Sequence, residues 1–452
     1  MLHPGFVFTQ SPASKGNPAA AVDLLDLRYP AGSRVILADS EFKRLQVLSG
    51  GLFSAGDPQV TCDGKRVLFC AKATSSSEWQ IYETELGARQ PRPLTIMPGG
   101  AANPALLPDG RLLFISPVAK TGDTPTGVLY SQGPGEQPKA LTFTSVSVSD
   151  PTVLEDGRIL FVGTRQTNKG TVTCGLYTIN NDGTEISEFS RPEDRPGTIR
   201  RPRQVDGTRI LYLVSQSVFG CDANGIEFIR CARPFAAPER LSIVDCDRVG
   251  SVERGDEHGL VVSAATGTGA GSRPLLAVYA IDLDKTDLSQ ALFTDPAWDS
   301  FEVIKISAHS QPMGRLSTVD TTKSTGEILC LNVNYTSYEA KQSESRATRV
   351  RVVAEPAPGK SRVLGEVPVQ TDGSFMAEVP ADMPLGLEAL DDQGHLLRRV
   401  APMIWVRPGE NRACIGCHEP PNHAPSNHRP LAVRAPVPRF TLDTPSLTQA
   451  KR

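Results

Sequence analysis

The sequence predicts an all-β protein in which an N-terminal β-propeller of about six blades is followed by a small β-sandwich and a C-terminal segment. Three observations support this fold class: a motif that recurs along the first half of the chain, a later series of short strands, and a turn-rich composition. Gly and Pro account for 39 and 37 of the 452 residues, which is typical of many short strands joined by tight turns. The expected domains span residues 1–300, 301–410 and 411–452.

A repeated motif occupies the first domain. Its first copy begins at Asp57-Pro58, continues through the turn Asp63-Gly64 and ends in the apolar run Val67-Leu68-Phe69. The turn glycines of successive copies are 46, 47 and 50 residues apart, at Gly64, Gly110, Gly157 and Gly207. Asp-Gly provides the positive φ of a tight hairpin turn, and a second hairpin follows in each copy. Each copy therefore predicts a four-stranded sheet, and a period in the forties is typical of propeller blades.

The copy around Gly207 is weaker than the other three, and segments outside these four copies are expected to complete the ring. A degenerate fifth copy is expected near residues 249–280, and the apolar runs Val35–Ala38 and Leu45–Leu48 provide closing strands or an extra blade. A blade buries its faces only against its neighbours, so the array must close. The pattern D-P-x-x-x-x-D-G-[KR]-x-[IVL]-x-[FY] in these copies resembles the blades of TolB-like propellers. We assign the Asp-Gly pairs a turn-forming role and no calcium.

The pattern changes after residue 300 to short alternating strands with a turn about every 8–12 residues, which predicts a small β-sandwich. The expected strands cover residues 327–334, 348–353, 364–369, 375–380, 385–390, 397–400 and 403–406. The last of these leads directly into a cysteine motif. Residues 419–438 are Pro-rich and lack periodicity, which predicts a wrapping segment or a loose tail.

The cysteine motif is Cys414-Ile415-Gly416-Cys417-His418, the C-x-x-C-H spacing by which a c-type haem is attached. In such a site the two thiols become thioethers to the porphyrin, and the next residue, His418, becomes an axial ligand of the iron. A redox disulfide is disfavoured because Pro and Gly flank the motif. A zinc site would add His423 and His428, but only five residues separate Cys417 from His423, fewer than in finger-like sites. The third part of the fold is therefore expected to be a c-type haem-binding segment, with zinc as the alternative.

The run from Trp405 to Glu419, together with Asp372-Gly373-Ser374-Phe375 before it, resembles the middle domain of the hydrazine synthase alpha subunit family. With the propeller, the resemblance covers nearly the whole chain. It implies haem thioethers at Cys414 and Cys417 and a metal-ligand role for His418. In that family a Tyr shortly after the motif holds the catalytic iron and a further domain carries a second haem. Here Asn422 takes the place of the Tyr and the sequence has a single C-x-x-C-H, so hydrazine synthesis itself is not predicted.

A second axial ligand could come from the tail. His428 is ten residues beyond His418 and His423 is five, and a chain spans at most about 3.5 Å per residue. Pro420 and Pro421 stiffen the shorter path around the porphyrin. His428 is therefore favoured over His423, with Met403 as a weaker candidate and an open or water-bound iron as the alternative.

Charge and hydropathy exclude several classes of protein. The formal net charge of −3 argues against a nucleic-acid partner. The sequence contains no run of 18 apolar residues, so no transmembrane helix is predicted. Nucleophile-elbow, zinc-protease, P-loop and dinucleotide fingerprints do not occur. Because c-type haem is attached outside the cytoplasmic membrane, the motif predicts a periplasmic or otherwise exported protein. Residues 1–5 do not resemble a signal peptide, so we expect the leader to be missing from this sequence.

The expected function is that of an exported monohaem c-type cytochrome-like protein, which transfers electrons to a redox partner protein or performs small-ligand redox chemistry. Oxidoreductase activity and its catalytic residues stay open. The alternative is a binding or scaffold module, in which a propeller recognises a partner and the haem, or a zinc ion at Cys414, Cys417 and a His, is structural.

Overall fold

The computed structural model describes residues 4–13, 24–88, 90–121, 124–144, 146–166, 172–190, 198–215, 223–243, 246–255, 259–267, 274–282, 288, 290–336, 346–355, 360–417 and 427–442. These residues are almost entirely β, and the only helices among them are an α-helix at Leu24–Arg28 and a 3-10 helix at Leu431–Arg434. No helix in this part of the chain is long and apolar enough to cross a membrane. The predicted all-β class is confirmed.

Six four-stranded antiparallel sheets occupy the described residues between 4 and 305. Sheets 2 to 6 are each built from four consecutive strands, as the repeat predicts. Their strands are Ser54–Val60, Arg66–Lys72, Gln80–Glu85 and Arg92–Pro93 in sheet 2; Ala102–Leu106, Leu112–Thr121, Thr124–Gln132 and Lys139–Ala140 in sheet 3; Ser147–Val153, Ile159–Gln166, Val172–Ile179 and Ser187–Ser190 in sheet 4; Thr198–Asp206, Arg209–Ser215, Gly225–Arg230 and Glu239–Leu241 in sheet 5; and Cys246–Arg254, Gly259–Thr266, Ala277–Asp282 and Ala291–Phe293 in sheet 6.

Sheet 1 joins the beginning of this region to its end. The strand Trp298–Lys305 pairs antiparallel with Pro4–Pro12. On its other side Pro4–Pro12 pairs antiparallel with Arg34–Asp39, which in turn pairs with Leu45–Val47. The runs around Val35 and Leu45 therefore belong to a sheet that closes the array. Because Trp298–Lys305 is hydrogen-bonded to the first strand, this sheet extends past residue 300, where the sequence placed the end of the first domain.

The first strands of sheets 2 to 6 and the strand Trp298–Lys305 contact one another in sequence order, and Trp298–Lys305 also contacts Ser54–Val60. Five of these six strands contain a residue with positive φ, between 47° and 58°, at a shift in strand register. These residues are Asp57, Asn103, Asp150, Arg201 and Glu302. Positive φ is costly for a residue other than glycine, so surrounding contacts must hold this geometry in place.

The Asp-Gly turns close the hairpins as predicted at Gly64, Gly110 and Gly157, which have φ of 68°, 83° and 82°. At the fourth copy the glycine is not among the positive-φ residues. There the Asp206 carboxylate accepts hydrogen bonds from the N–H groups of Thr208 and Arg209, so a side chain closes the turn.

Two further sheets form the second domain and enclose one hydrophobic core. The three-stranded sheet has the order Phe375–Pro380, Thr325–Cys330, Asn411–Cys414, and the four-stranded sheet has the order Arg362–Pro368, Arg349–Ala354, Leu385–Leu390, Leu396–Ile404. The predicted strands 397–400 and 403–406 are one strand that ends at Ile404. The last strand is Asn411–Cys414, which pairs parallel to Thr325–Cys330, so the cysteine motif begins at the end of a strand and not in a loop.

The described part of the C-terminal segment wraps around the sandwich. The Glu378 N–H donates to Pro438 O at 2.9 Å and the Phe440 N–H donates to Glu378 O at 2.8 Å. The Phe440 ring is buried in the sandwich core. Of the two predicted possibilities, residues 427–442 therefore form the wrapping segment.

Candidate functional site

The two cysteines of the motif lie at the edge of the sandwich core. Cys414 ends the last strand and is half-buried, whereas Cys417 is buried, and both pack against the same cluster of apolar side chains. His418 and His423 lie outside the described residues, as does Asn422, and the side chain of Met403 is not described. The structure therefore brings the two sulfurs to one core.

A loop at residues 331–335 holds the motif by backbone hydrogen bonds. The Leu331 N–H donates to Cys414 O at 2.9 Å, the Asn332 N–H donates to Ile415 O at 3.1 Å, and the Cys417 N–H donates to Tyr335 O at 2.9 Å. A Cβ atom on Gly416 would overlap the carbonyl oxygen of Tyr335. The motif glycine is thus required by close backbone approach, and the backbone that carries the two thiols is tied to the loop at both ends.

Trp405 anchors the segment before the motif in the first domain. Its indole is 1% exposed and packs in the cluster between sheets 3 and 4 with Leu141, Phe161 and Ile186. The indole Nε1–H donates to Gly183 O at 3.0 Å. A buried indole contributes a large apolar surface, and its N–H hydrogen bond fixes the direction in which the ring packs. Trp405 therefore holds the sandwich against this edge of the first domain.

Three charged residues between Trp405 and the cysteines extend this contact. Arg407 donates to Ala140 O at 3.2 Å and to the Asp382 carboxylate at 2.9 Å. The Glu410 carboxylate accepts the backbone N–H of Glu185 at 2.9 Å and that of Arg407 at 2.7 Å, and desolvation raises the pKa of Glu410. Arg412 donates to Ile186 O.

The linker from residue 306 to 324 follows the turns of the first domain. The Met313 N–H donates to Glu155 O at 2.9 Å, and the Met313 carbonyl lies so close to Gly157 that a Cβ atom would not fit there. Further along, the Asp182 carboxylate accepts the hydroxyl of Ser317 at 2.9 Å and the N–H of Thr318 at 3.0 Å. The linker and the Trp405–Arg412 segment therefore both hold the sandwich on sheet 4.

His428 lies beside a turn of the sandwich. Its Nε2 is 3.4 Å from Asp372 Oδ2, which also accepts the Leu431 N–H at 2.8 Å. Desolvation acts to raise the pKa of Asp372, but hydrogen bonds from Leu431, Ser374 and His428 outweigh it and lower that pKa to about 2. The same turn contacts the 331–335 loop through a hydrogen bond from the Val333 N–H to Gly373 O at 2.8 Å. His428 is thus connected to the motif through one loop and one turn, and its Nε2 faces Asp372.

Three arginines near the motif have buried nitrogen atoms without a partner in the described part of the chain: Nε of Arg398, Nε of Arg407, and Nε and Nη1 of Arg412. Arg398 also donates to Val333 O at 3.1 Å, which places it on the loop that holds the cysteines. Arg407 is paired with Asp382 at 2.9 Å, and Arg399, next to Arg398, is paired with Glu388 at 2.6 Å. Arg398 and Arg412 are therefore the guanidinium groups suited to carboxylates bound at the motif.

No three His, Cys, Asp or Glu side chains among the described residues form a group that could hold a metal ion. The finding concerns His309, His395 and His428 together with the described cysteines and carboxylates, because the other histidines lie outside the described residues. The sulfur atoms of Cys414 and Cys417 are the candidate donors at this site, and paired thiols suit both thioether formation and a soft metal.

Sequence reasoning missed a buried ion network in the first domain. Arg201 is 1% exposed and donates to Asp57 at 2.8 Å, to Glu302 at 2.8 Å and to Glu253 at 2.9 Å. Burial acts to lower the pKa of Arg201, but the attraction of the three carboxylates outweighs it and raises that pKa. The signal was present, because Asp57 and Arg201 are the residues that precede Pro in their copies of the repeat.

The helix Leu24–Arg28 adds a second guanidinium and a phenol to this network. Arg28 donates to Glu302 Oε1 at 2.8 Å and the Tyr29 hydroxyl donates to the same atom at 2.7 Å. Asp57, Arg201, Glu253 and Glu302 come from sheets 2, 5, 6 and 1. The network therefore links four of the six sheets through one cation.

Residues 323–419 match the family model described as hydrazine synthase alpha subunit middle domain. A curated relative, hydrazine synthase subunit alpha of Kuenenia stuttgartiensis, is 32% identical over 99 residues, which are 22% of this chain and 12% of the relative. The chain thus matches about an eighth of the length of that relative. These matches confirm the resemblance inferred from the Trp405–Glu419 run.

The solved structure of Kuenenia stuttgartiensis hydrazine synthase is similar to nearly the whole chain, with a TM-score of 0.83, 18% identity, and coverage of 95% of this chain and 71% of that chain. At this identity the likeness shows a shared fold. TolB from Acinetobacter baumannii matches with a TM-score of 0.41 and 18% identity, over 65% of this chain and 66% of that chain.

Proposed function

We propose that this chain is an exported monohaem c-type cytochrome-like protein that carries one haem on Cys414 and Cys417. The observation that carries the proposal is the placement of both motif sulfurs against one apolar core, on a backbone held by the 331–335 loop. The unpartnered nitrogens of Arg398 and Arg412 fit the carboxylates that a haem brings. His418 would be an axial ligand by its position in the motif.

The haem would supply one-electron redox chemistry or small-ligand binding, and the chain would supply the attachment and the electrostatic setting. The six sheets and the contacts of their first strands support a closed six-bladed ring. In the proposed molecule this ring is the platform on which the sandwich holds the haem, and a redox partner protein is the expected electron donor or acceptor. Hydrazine synthesis is not part of the proposal.

Absorption spectroscopy tests this function. The chain is produced with a secretion leader and haem maturation machinery, and the expected result is a Soret band with a pyridine haemochrome spectrum of the c type that survives acid-acetone extraction. The alternative, a scaffold in which Cys414 and Cys417 hold zinc, predicts no Soret band and one zinc ion per chain by elemental analysis. A zinc-loaded chain that acquires no haem under these conditions would exclude the cytochrome.

His428 stays the predicted tail ligand of the iron. To bind iron through Nε2 it must give up its contact with Asp372. We expect a low-spin electron paramagnetic resonance signal from the ferric protein that becomes high-spin in His428→Ala. Asp372→Asn is the matched control, because it removes the carboxylate and keeps the imidazole. A low-spin signal that is unchanged in His428→Ala would exclude His428.

A further inference from the structure

A third cysteine is aligned with the motif. Cys330 ends the strand Thr325–Cys330, and the parallel ladder with Asn411–Cys414 pairs it directly with Cys414. Paired residues of a parallel ladder project to the same face of the sheet, and Cys330 and Cys414 both pack against the sandwich core. Adjacent strands are about 4.7–4.9 Å apart, which lies inside the Cα separation of about 4.4–6.8 Å that a disulfide accepts.

We propose that Cys330 and Cys414 are a dithiol–disulfide pair that closes in the haem-free chain. No disulfide links the described cysteines in this structure. The pairing in register carries the inference, because it places the two cysteines directly opposite each other on neighbouring strands. The effect on haem loading rests on the function proposed above, whereas the disulfide itself does not.

Exposure decides the order of the exchange. Cys414 is half-buried and Cys330 is 3% exposed, so an external disulfide reaches Cys414 first. The Cys414 thiolate attacks the external disulfide, which forms a mixed disulfide and releases one external thiol. The Cys330 thiolate then displaces the second external thiol. The two cysteines lose two protons and two electrons, and the external disulfide, from glutathione or a thiol–disulfide oxidoreductase, is reduced to two thiols.

The consequence concerns maturation. A thioether at Cys414 needs the free thiol, so the disulfide with Cys330 withholds one of the two attachment sites until it is reduced. Cys417 is placed differently: its N–H bonds to Tyr335 O, beyond the end of the ladder. The oxidised chain should therefore be deficient in haem attachment, and reduction should restore it.

The experiment maps the linkage in the haem-free full chain after incubation with oxidised glutathione, alkylation and proteolysis. The expected result is a disulfide between the peptide of Cys330 and the peptide of Cys414 and Cys417. The linked product should persist in Cys417→Ala and disappear in Cys414→Ala and in Cys330→Ala. Cys174→Ala, which removes a buried thiol from another sheet, is the matched control and should leave the linkage unchanged.

Two outcomes would overturn the inference. One is that Cys330, Cys414 and Cys417 can all be alkylated after oxidation, and the other is a linkage that persists in Cys414→Ala. Haem is then followed separately by covalent haem staining of chains matured before or after oxidation. Loss of attachment in oxidised wild type, but not in oxidised Cys330→Ala, supports the maturation effect. If haem attaches but no disulfide between Cys330 and Cys414 can be mapped, only the proposed disulfide is contradicted. If the disulfide is mapped but the chain never takes up haem, only the proposed cytochrome is contradicted.

Discussion

Arg201→Met should destabilise the first domain by about 3–5 kcal/mol, because it leaves three buried carboxylates without their shared cation. Asp57, Glu253 and Glu302 all bond to Arg201, at 2.8 to 2.9 Å. Met fills a similar volume and is apolar, so lost packing contributes little. Chemical denaturation followed by circular dichroism should show a lower midpoint for the variant.

Two control variants sharpen this test. Arg230 pairs with Glu239 at the surface, where both side chains are at least half exposed, so Arg230→Met should leave the midpoint nearly unchanged. Adding Glu302→Gln to Arg201→Met reduces the excess of negative charge left in the network and should recover part of the loss. An unchanged midpoint in Arg201→Met would show that the network does not contribute to stability.

The same network sets a pH dependence. Burial acts to raise the pKa of Asp57, but Arg201 and Arg28 outweigh it and lower that pKa. A lowered folded-state pKa means that the stabilisation is present above the unfolded-state value, near 3.9, and is lost as pH falls through the folded-state value. The difference in midpoint between the wild type and Arg201→Met should therefore shrink in acid.

The second large effect concerns the motif. Cys414→Ala with Cys417→Ala should abolish covalent haem without unfolding the first domain, since both thioethers are lost and the contacts of Trp405, Arg407 and Glu410 with sheets 3 and 4 are untouched. Haem staining of denatured protein measures the first effect, and circular dichroism of the β structure measures the second.

Single variants separate the two thiols. Each should retain one thioether and give a haemochrome band shifted from that of the wild type. Cys174→Ala serves as the control and should keep the full covalent haem. Covalent haem in the double variant would show that attachment occurs elsewhere, and loss of the β signal together with the haem would show that the two domains are not independent.

The sequence predicted the elements that local patterns determine. The Asp-Gly turns, the apolar strands after them and the alternating strands of the sandwich each follow from a few neighbouring residues. The strand bounds around Cys414 did not follow, because Asn411–Cys414 is a strand only through parallel pairing with Thr325–Cys330, more than eighty residues earlier. Parallel pairing of distant segments leaves no local signal in a four-residue strand.

The function of single residues was harder to predict for the same reason. Trp405, Glu410 and Arg412 were recognised as part of a family run, but the run alone does not reveal that these side chains contact residues 183–186. The sequence does not show that Arg201 is buried, because the bulge before Pro202 directs it to three carboxylates from other sheets. Only the packing of sheets 1, 2, 5 and 6 against one another brings Arg201 and these carboxylates together.

Peptide mass spectrometry of the chain produced with a secretion leader and haem maturation machinery tests the central claim most directly. We predict that the peptide with Cys414 and Cys417 carries the mass of one haem and that neither thiol can be alkylated. The same peptide without added mass, alkylated at both cysteines, would contradict the proposal that this motif attaches a haem.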